Sequence, residues 1–280
     1  MYTKTQLLEI WGKHDFRAKK SFGQNFLVDK NLIDKLIRAI DIKKSDTVLE
    51  IGPGFGEMTE YLLKAKKVVV VEKDRFLAKF LTTELFKNIQ NIKIIEQDFL
   101  DFDLNGSYDK IIGNLPYYIT TPIIEKLLFE TECKQIFLMV QKEYADRLLA
   151  LVGTKTYSSL TCFVNYYAKV EKISIVCKEC FFPAPKVDSM FIKIERLKKP
   201  QFKVNDEKMF FNIIRKSFQH RRKTISSCLK KFVFEDNNIE IEKVLNRLGI
   251  DPNVRPEELS IQDFASLADS FSGIQNLSNK

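Results

Sequence analysis

The run Lys67-Val68-Val69-Val70-Val71-Glu72 constrains this chain more than any other segment. Four consecutive valines leave no polar face, so a strand built from them must be covered on both sides. Similar runs recur at Thr47–Ile51, Ile92–Ile95, Tyr108–Gly113 and Gln135–Val140. Between them lie amphipathic stretches, Met58–Lys66, Arg75–Phe86 and Pro122–Phe129, with the period of helices. All-apolar strands alternating with helices predict a mostly parallel sheet with helices on both faces, a doubly wound α/β fold. After Tyr144 a helical stretch runs to about Tyr167, and Glu171–Val176 with Val187–Leu197 predict a closing antiparallel hairpin. Between these strands Phe181-Phe182-Pro183-Ala184-Pro185-Lys186 predicts a stiff loop, because its prolines restrict the backbone.

From Asn205 onward only helical signals remain. Asn205-Asp206-Glu207 can cap a helix reaching Phe218, Asn238 can begin another ending near Gly249, and Pro256-Glu257-Glu258 can open a third. The expected organisation is an α/β domain over residues 1–199, a small all-α domain over 200–272 and a mobile polar tail over 273–280.

No apolar stretch is long enough to cross a bilayer, and the polar, basic N-terminus is unlike a signal peptide. The five cysteines are an odd number in scattered positions, as expected of reduced thiols in a cytoplasmic protein. Cys177-Lys178-Glu179-Cys180 lacks a second pair at metal-binding spacing, and His14 and His220 are the only histidines, so no metal is expected. The formal net charge is +8, and it is clustered. Arg215–Lys231 holds seven basic residues, Arg221, Arg222 and Lys223 at its centre, and no acidic one. A second group, Lys13, Arg17, Lys19 and Lys20, precedes the first long strand. Two such clusters favour a polyphosphate partner, although either could be a solvated face.

Two segments carry chemistry. Gly52-Pro53-Gly54-Phe55-Gly56 joins a strand to a helix, where glycines permit positive φ and let a ligand approach the backbone. A tight connection alone would use the same glycines. Glu72 ends the next strand, beside that turn in a parallel sheet, where a carboxylate can accept from both hydroxyls of a ribose. Asp98 follows the third strand, within reach of an adenine amino group. A solvated strand end and an ordinary turn aspartate stay open for these two.

The second segment is Asn114-Leu115-Pro116-Tyr117, at the end of the fourth strand. An exocyclic amine such as adenine N6 is a poor nucleophile, since its lone pair is delocalised into the ring. Acceptors that take its N–H bonds localise that pair; the Asn114 amide oxygen and the Leu115 carbonyl can do so, and Tyr117 can stack on the base. Pro116 fixes the direction of the Leu115 carbonyl. With an activated sulfonium donor, positioning and electrostatics would supply most of the acceleration. The plainer alternative is a strand-ending turn with a packed aromatic.

These motifs, with Lys20–Leu27, Phe181–Ser189 and Phe218–Thr224, resemble the small-subunit ribosomal RNA adenine dimethyltransferase family, Rossmann-like enzymes that use S-adenosyl-L-methionine. The resemblance spans nearly the whole chain. It departs at Phe218-Gln219-His220, where or near which the family usually has a glycine. It implies that Asn25, Leu27, Gly52, Glu72, Asp98 and Asn114 line the cofactor site. It also implies that Asn114, Leu115 and Tyr117 hold the target base, with Phe181 on its other side. Arg221, Arg222 and Lys223, on a helix, and Lys19 and Lys20 would meet RNA. The implied reaction dimethylates N6 of two adjacent adenosines near the 3′ end of 16S rRNA in the small ribosomal subunit, the enzyme acting as a cytoplasmic monomer.

Three other readings compete. A macrolide-resistance type enzyme acting on large-subunit RNA would share the site, but the Arg221–Thr224 segment favours the small subunit. A non-catalytic RNA-binding factor would be expected to have eroded the glycine turn or the Asn114 motif, and both are intact. Methyltransferases acting on protein glutamine or DNA typically have Pro where Leu115 stands.

Overall fold

The structure, a computed structural model, describes residues 2–230 and 241–278, and beyond 272 only their backbone. Lys231 and the expected helix start at Asn238 lie outside the described residues. The strands are β1 (Phe26–Leu27), β2 (Thr47–Ile51), β3 (Lys67–Glu72), β4 (Ile92–Glu96), β5 (Lys110–Asn114), β6 (Gln135–Gln141), β7 (Ala168–Val176), β8 (Phe181–Phe182) and β9 (Ser189–Arg196). The α-helices are α1 (Lys4–His14), α2 (Lys30–Ile40), α3 (Thr59–Leu62), α4 (Arg75–Phe80), α5 (Thr120–Glu130), α6 (Lys142–Leu148), α7 (Ser159–Tyr167), α8 (Glu207–Gln219), α9 (Ile225–Lys230), α10 (Ile241–Arg247) and α11 (Ile261–Ser278).

Two compact units are present, Met1–Ala145 with Val170–Arg196 and Asp146–Lys169 with Leu197–Lys280. In the first, a seven-stranded sheet has the order β4-β3-β2-β5-β6-β9-β7. β2 pairs in parallel with both β3 and β5, β3 with β4 and β5 with β6, while β9 runs antiparallel to β6. The predicted closing strands are therefore present, with β9 between β6 and β7. Val68 and Val70 are fully buried and Val69 and Val71 nearly so, as a strand covered on both faces requires. Helix α3 is shorter than the pattern suggested, and α4 continues as a wider π-type turn over Leu81–Leu85.

The stiff loop does more than connect. Phe181 and Phe182 form β8, which pairs with β1 so that Leu27 faces Phe181 and Phe26 faces Phe182.

The second unit has its own core, in which Tyr157, Cys162 and Tyr166 pack with Phe210, Ile214, Phe264 and Phe271. Tyr166 of α7 is buried in that core and Tyr167 packs against it, which ties Asp146–Lys169 to the residues after Leu197. Asp206 caps α8, its carboxylate accepting the Met209 N–H at 3.0 Å. Pro256–Glu258 forms a single 3₁₀ turn ahead of α11, and α11 continues as helix to Ser278, into the segment expected to be a tail. Residues 221–224 are not helical as expected, but form the turn between α8 and α9. The Lys223 N–H closes that turn on the His220 carbonyl at 2.7 Å, and Thr224 Oγ1 then accepts the Ser227 N–H at 3.3 Å to start α9.

Candidate functional site

Strand order reverses between β2 and β5, so the chain leaves these neighbours in opposite directions and opens a crevice at their carboxyl ends. Ile51 lies opposite Gly113, which sets the glycine turn beside Asn114. Glu72, pairing with Glu96, brings the end of β3 to the same edge. The crevice is an open cavity lined by the glycine turn and by the carboxyl ends of β3 and β5.

Asn25, Leu27, Gly52, Glu72, Asp98, Asn114, Leu115 and Tyr117 all line this one cavity. Residues far apart in sequence therefore converge as expected. Phe181 is not among the lining residues; it is 3% exposed and belongs to the core beneath. Lys19 and Lys20 do not line it either. Both are exposed, and Lys19 Nζ also pairs with the fully buried Asp74 at 2.9 Å. In the helical unit, Arg222 and Lys223 are exposed, while Arg221 is half-buried and donates to the Lys155 carbonyl at 2.5 Å.

Gly52 and Gly54 both have positive φ, 65° and 62°. A Cβ on Gly54 would lie 2.8 Å from Glu57 Oε2 and 2.9 Å from the Phe26 ring, so any side chain there collides. A Cβ on Gly52 would meet only the Asn114 carbonyl oxygen, at 3.6 Å, leaving its cavity side open to a ligand.

Asn114 is held by its amide, whose Nδ2 donates to the Asn25 carbonyl at 3.1 Å. Among the described residues no donor reaches its Oδ1, which is left as an acceptor. Tyr117 hydrogen-bonds Ser189 Oγ through its hydroxyl at 2.8 Å, which fixes its ring at the cavity wall.

The electrostatics are unusual for a surface crevice. Glu72 is buried and accepts the Asp74 N–H at 2.7 Å, yet burial pushes its carboxyl up to about 7. Burial also pushes Asp98 up, but the Lys73 ammonium, 2.5 Å away, and the Leu100 N–H outweigh it and hold Asp98 below the ordinary range. Sequence reasoning missed two further lining carboxylates, Glu50 and Glu57. A glutamate inside the otherwise apolar strand Val48-Leu49-Glu50-Ile51 is the legible sign, since a charge in a doubly covered strand needs a reason.

S-adenosylmethionine fits this donor set. Glu72 suits a ribose diol, Asp98 an adenine amino group, the Gly52 side leaves room for close approach, and the buried orphan oxygens of Glu50 and Glu57 suit cationic groups. Elsewhere Cys177, Glu179 and Asp188 bring possible metal ligands within 4.8 Å of one another, but Cys177 and Glu179 are exposed and Asp188 Oδ1 is occupied by the Lys178 N–H. Among the described residues no helix is long and apolar enough to cross a membrane.

The family model for ribosomal RNA adenine dimethylase matches residues 15–272. A ribosomal RNA small subunit methyltransferase A of Clostridium botulinum (strain Loch Maree / Type A3) is 44% identical over 268 residues, covering 93% of this chain and 96% of that protein. The protein of the same name from Geobacillus kaustophilus is 43% identical over 276 residues, 94% of each. Among solved structures, a dimethyladenosine transferase from Plasmodium falciparum superposes with a TM-score of 0.77 at 31% identity, over 89% of this chain and 98% of that one. A 23S rRNA methyltransferase superposes with a TM-score of 0.69 at 24% identity over 89% of this chain and all of that one, a likeness of fold.

Proposed function

The chain belongs to the ribosomal RNA adenine dimethylase family, and from that premise we propose that it dimethylates N6 of two adjacent adenosines near the 3′ end of 16S rRNA in the small ribosomal subunit. The observation that carries this reading is the free Asn114 Oδ1, held by its own amide on Asn25 at the mouth of the cavity next to the glycine turn. S-adenosylmethionine, when bound, supplies an electrophilic methyl on a sulfonium.

Asn114 Oδ1 and the Leu115 carbonyl accept the two N–H bonds of the adenine amine and localise its lone pair. Tyr117, its hydroxyl tied to Ser189, presents a ring face on which the base stacks. The base must first leave its own stack. Phe181, 3% exposed and outside the cavity lining, is the proposed contact for the other face. Glu72 holds the cofactor ribose, Asp98 its adenine, and Asn25, Leu27 and Gly52 complete the wall. No general base is needed before attack, because the methylated N6 is acidic enough to lose its proton to water. Most of the acceleration comes from alignment and preorganised acceptors.

Arg221, Arg222, Lys223, Lys19 and Lys20 are the cations proposed to meet RNA phosphates; Arg222, Lys223, Lys19 and Lys20 are exposed and Arg221 is half-buried. With this substrate the protein acts in the cytoplasm, and one chain carries the complete set of site residues, so a monomer suffices.

The test is mass spectrometry of rRNA nucleosides after incubating the protein with S-adenosylmethionine and small subunits lacking the modification, with unmodified large-subunit RNA in parallel. N6,N6-dimethyladenosine in small-subunit RNA alone is expected. Modification of large-subunit RNA alone would replace this reading with the resistance-type one, and none in either would leave a binding role.

A further inference from the structure

Glu57 follows the glycine turn and is 5% exposed, and Glu50 on β2 is 3% exposed. Each has a buried carboxylate oxygen without a hydrogen-bond partner, Glu57 Oε1 and Glu50 Oε2, and both residues line the cavity. No salt bridge among the described residues involves Glu50, Glu57 or Glu72. The cavity's one lysine, Lys73, is taken by Asp98 at 2.5 Å. A buried, unpaired carboxylate is costly, so such groups are retained where a ligand supplies the missing partner. Glu57 sits against the backbone of the turn, since a Cβ on Gly54 would come within 2.8 Å of its Oε2. The glycine turn thus carries its own carboxyl group at the cavity.

We propose that Glu57, supported by Glu50, is the counter-charge that selects the cationic sulfonium cofactor over its neutral thioether product, by giving up a carboxyl proton when the cation enters. The inference rests on S-adenosylmethionine being the cofactor, and goes beyond it by assigning a discriminating residue. The groups facing Glu57 are consistent. Glu50 on β2 and Glu72 on β3 raise its proton affinity, the Tyr2 phenol lies close enough to feel its charge, and the Phe55 and Glu57 amides pull the other way. Burial is the largest influence and pushes the Glu57 carboxyl up to about 8, so it holds a proton at neutral pH while the site is without a cation. With a cationic cofactor in the cavity, the Glu57 O–H bond would break, its proton would pass to buffer, and the carboxylate left behind would balance the positive charge. With the neutral thioether the driving force is lost, so Glu57 re-protonates and the product is held less tightly. Tight product binding would slow turnover, and this arrangement opposes it.

Titration calorimetry of the full chain near pH 7, in two buffers of different ionisation enthalpy, reads the proton directly. Release approaching about one proton is expected with S-adenosylmethionine and clearly less with S-adenosylhomocysteine. In Glu57→Gln the release should largely vanish. Affinity for the sulfonium should fall on the order of tenfold while affinity for the thioether changes little. Equal heats in both buffers for a wild-type protein that binds the sulfonium would overturn the inference, and need no variant to fold. So would a Glu57→Gln protein that loses both ligands equally. A wild-type protein binding neither ligand would overturn the cofactor assignment, and this inference with it.

Discussion

The side-chain amide of Asn114 donates to the backbone carbonyl of Asn25, 3.1 Å away and 89 residues distant in sequence. One hydrogen bond thereby joins the end of β5 to the segment that precedes β1, and leaves the Asn114 Oδ1 as the acceptor at the cavity. The donor half of the amide orients the group, and the acceptor half has no donor among the described residues.

Separating those halves gives the first prediction. Asn114→Asp keeps an acceptor but sets a carboxylate oxygen against the Asn25 carbonyl, so the orienting bond becomes a repulsion. Methyl transfer should fall by about 10²-fold or more, in the range seen when a preorganised polar group is removed. Single-turnover transfer to undermethylated small subunits checks this. Activity within a few-fold of wild type would mean the Asn25 contact does not position Asn114.

Glu72→Ala should weaken cofactor binding while RNA binding stays nearly unchanged, because Glu72 is buried at the end of β3 and the exposed cations lie elsewhere. Calorimetry with the cofactor and filter binding with rRNA separate the two. Unchanged cofactor affinity would remove Glu72 from the ribose role.

The cofactor edge of the site is largely legible in the sequence, because doubly buried strands advertise themselves as all-apolar runs and the parallel order fixes which residues share their carboxyl ends. Gly52, Glu72, Asp98 and Asn114 meet for that reason. What escapes is set by three-dimensional burial. Glu57 looks like any charge after a turn, yet in the fold it is 5% exposed with its Oε1 unpartnered. Pairing of Leu27 with Phe181 joins segments 154 residues apart in number, with no local pattern to announce it. Arg221–Thr224 looks helical because its neighbours on both sides are, while the actual break is a single backbone bond from Lys223 to His220. The α7 segment joins the helical unit because Tyr166 is buried in its core and Tyr167 packs against it, a choice that periodicity cannot make.

Gly54→Ala should destabilise the fold and abolish cofactor binding. The added Cβ meets Glu57 and Phe26 inside 3.0 Å, and the φ of 62° is itself unfavourable for a side chain. A loss of roughly 1–3 kcal/mol is expected from such a position. Chemical denaturation measures it, and a change below about 0.5 kcal/mol would mean that Glu57 and Phe26 move aside freely.

Stability should fall as pH rises through neutrality. The buried Glu50 and Glu72 carboxyls are pushed up to about 7 and Glu57 to about 8, against an ordinary value of 4.5. Between the ordinary and the raised values the folded chain holds more protons than the unfolded one, so the stabilising contribution is complete at low pH and is lost on ionisation. Without cofactor, the melting temperature near pH 6 should exceed that near pH 8.5, by roughly several degrees. Saturating S-adenosylmethionine should flatten the slope, and Glu57→Gln should reduce it. A melting temperature rising across that interval would contradict the protonated state of these groups.

The basic turn between α8 and α9 should divide into two roles. Arg222 and Lys223 are exposed, so replacing both by Ala should leave stability nearly intact and flatten the salt dependence of subunit binding. Each phosphate no longer neutralised should reduce the log–log slope by somewhat under about one unit. Arg221 differs, for its guanidinium donates to the Lys155 carbonyl at 2.5 Å and its Nε is buried without a partner. Arg221→Ala should therefore cost folding stability, on the order of 1 kcal/mol for the missing hydrogen bond, with a smaller effect on the salt slope. Denaturation midpoints and binding measured over a series of salt concentrations separate the two outcomes. Should Arg221 change the slope as much as Arg222 and Lys223 do, its bond to the Lys155 carbonyl gives way on binding and all three cations face RNA.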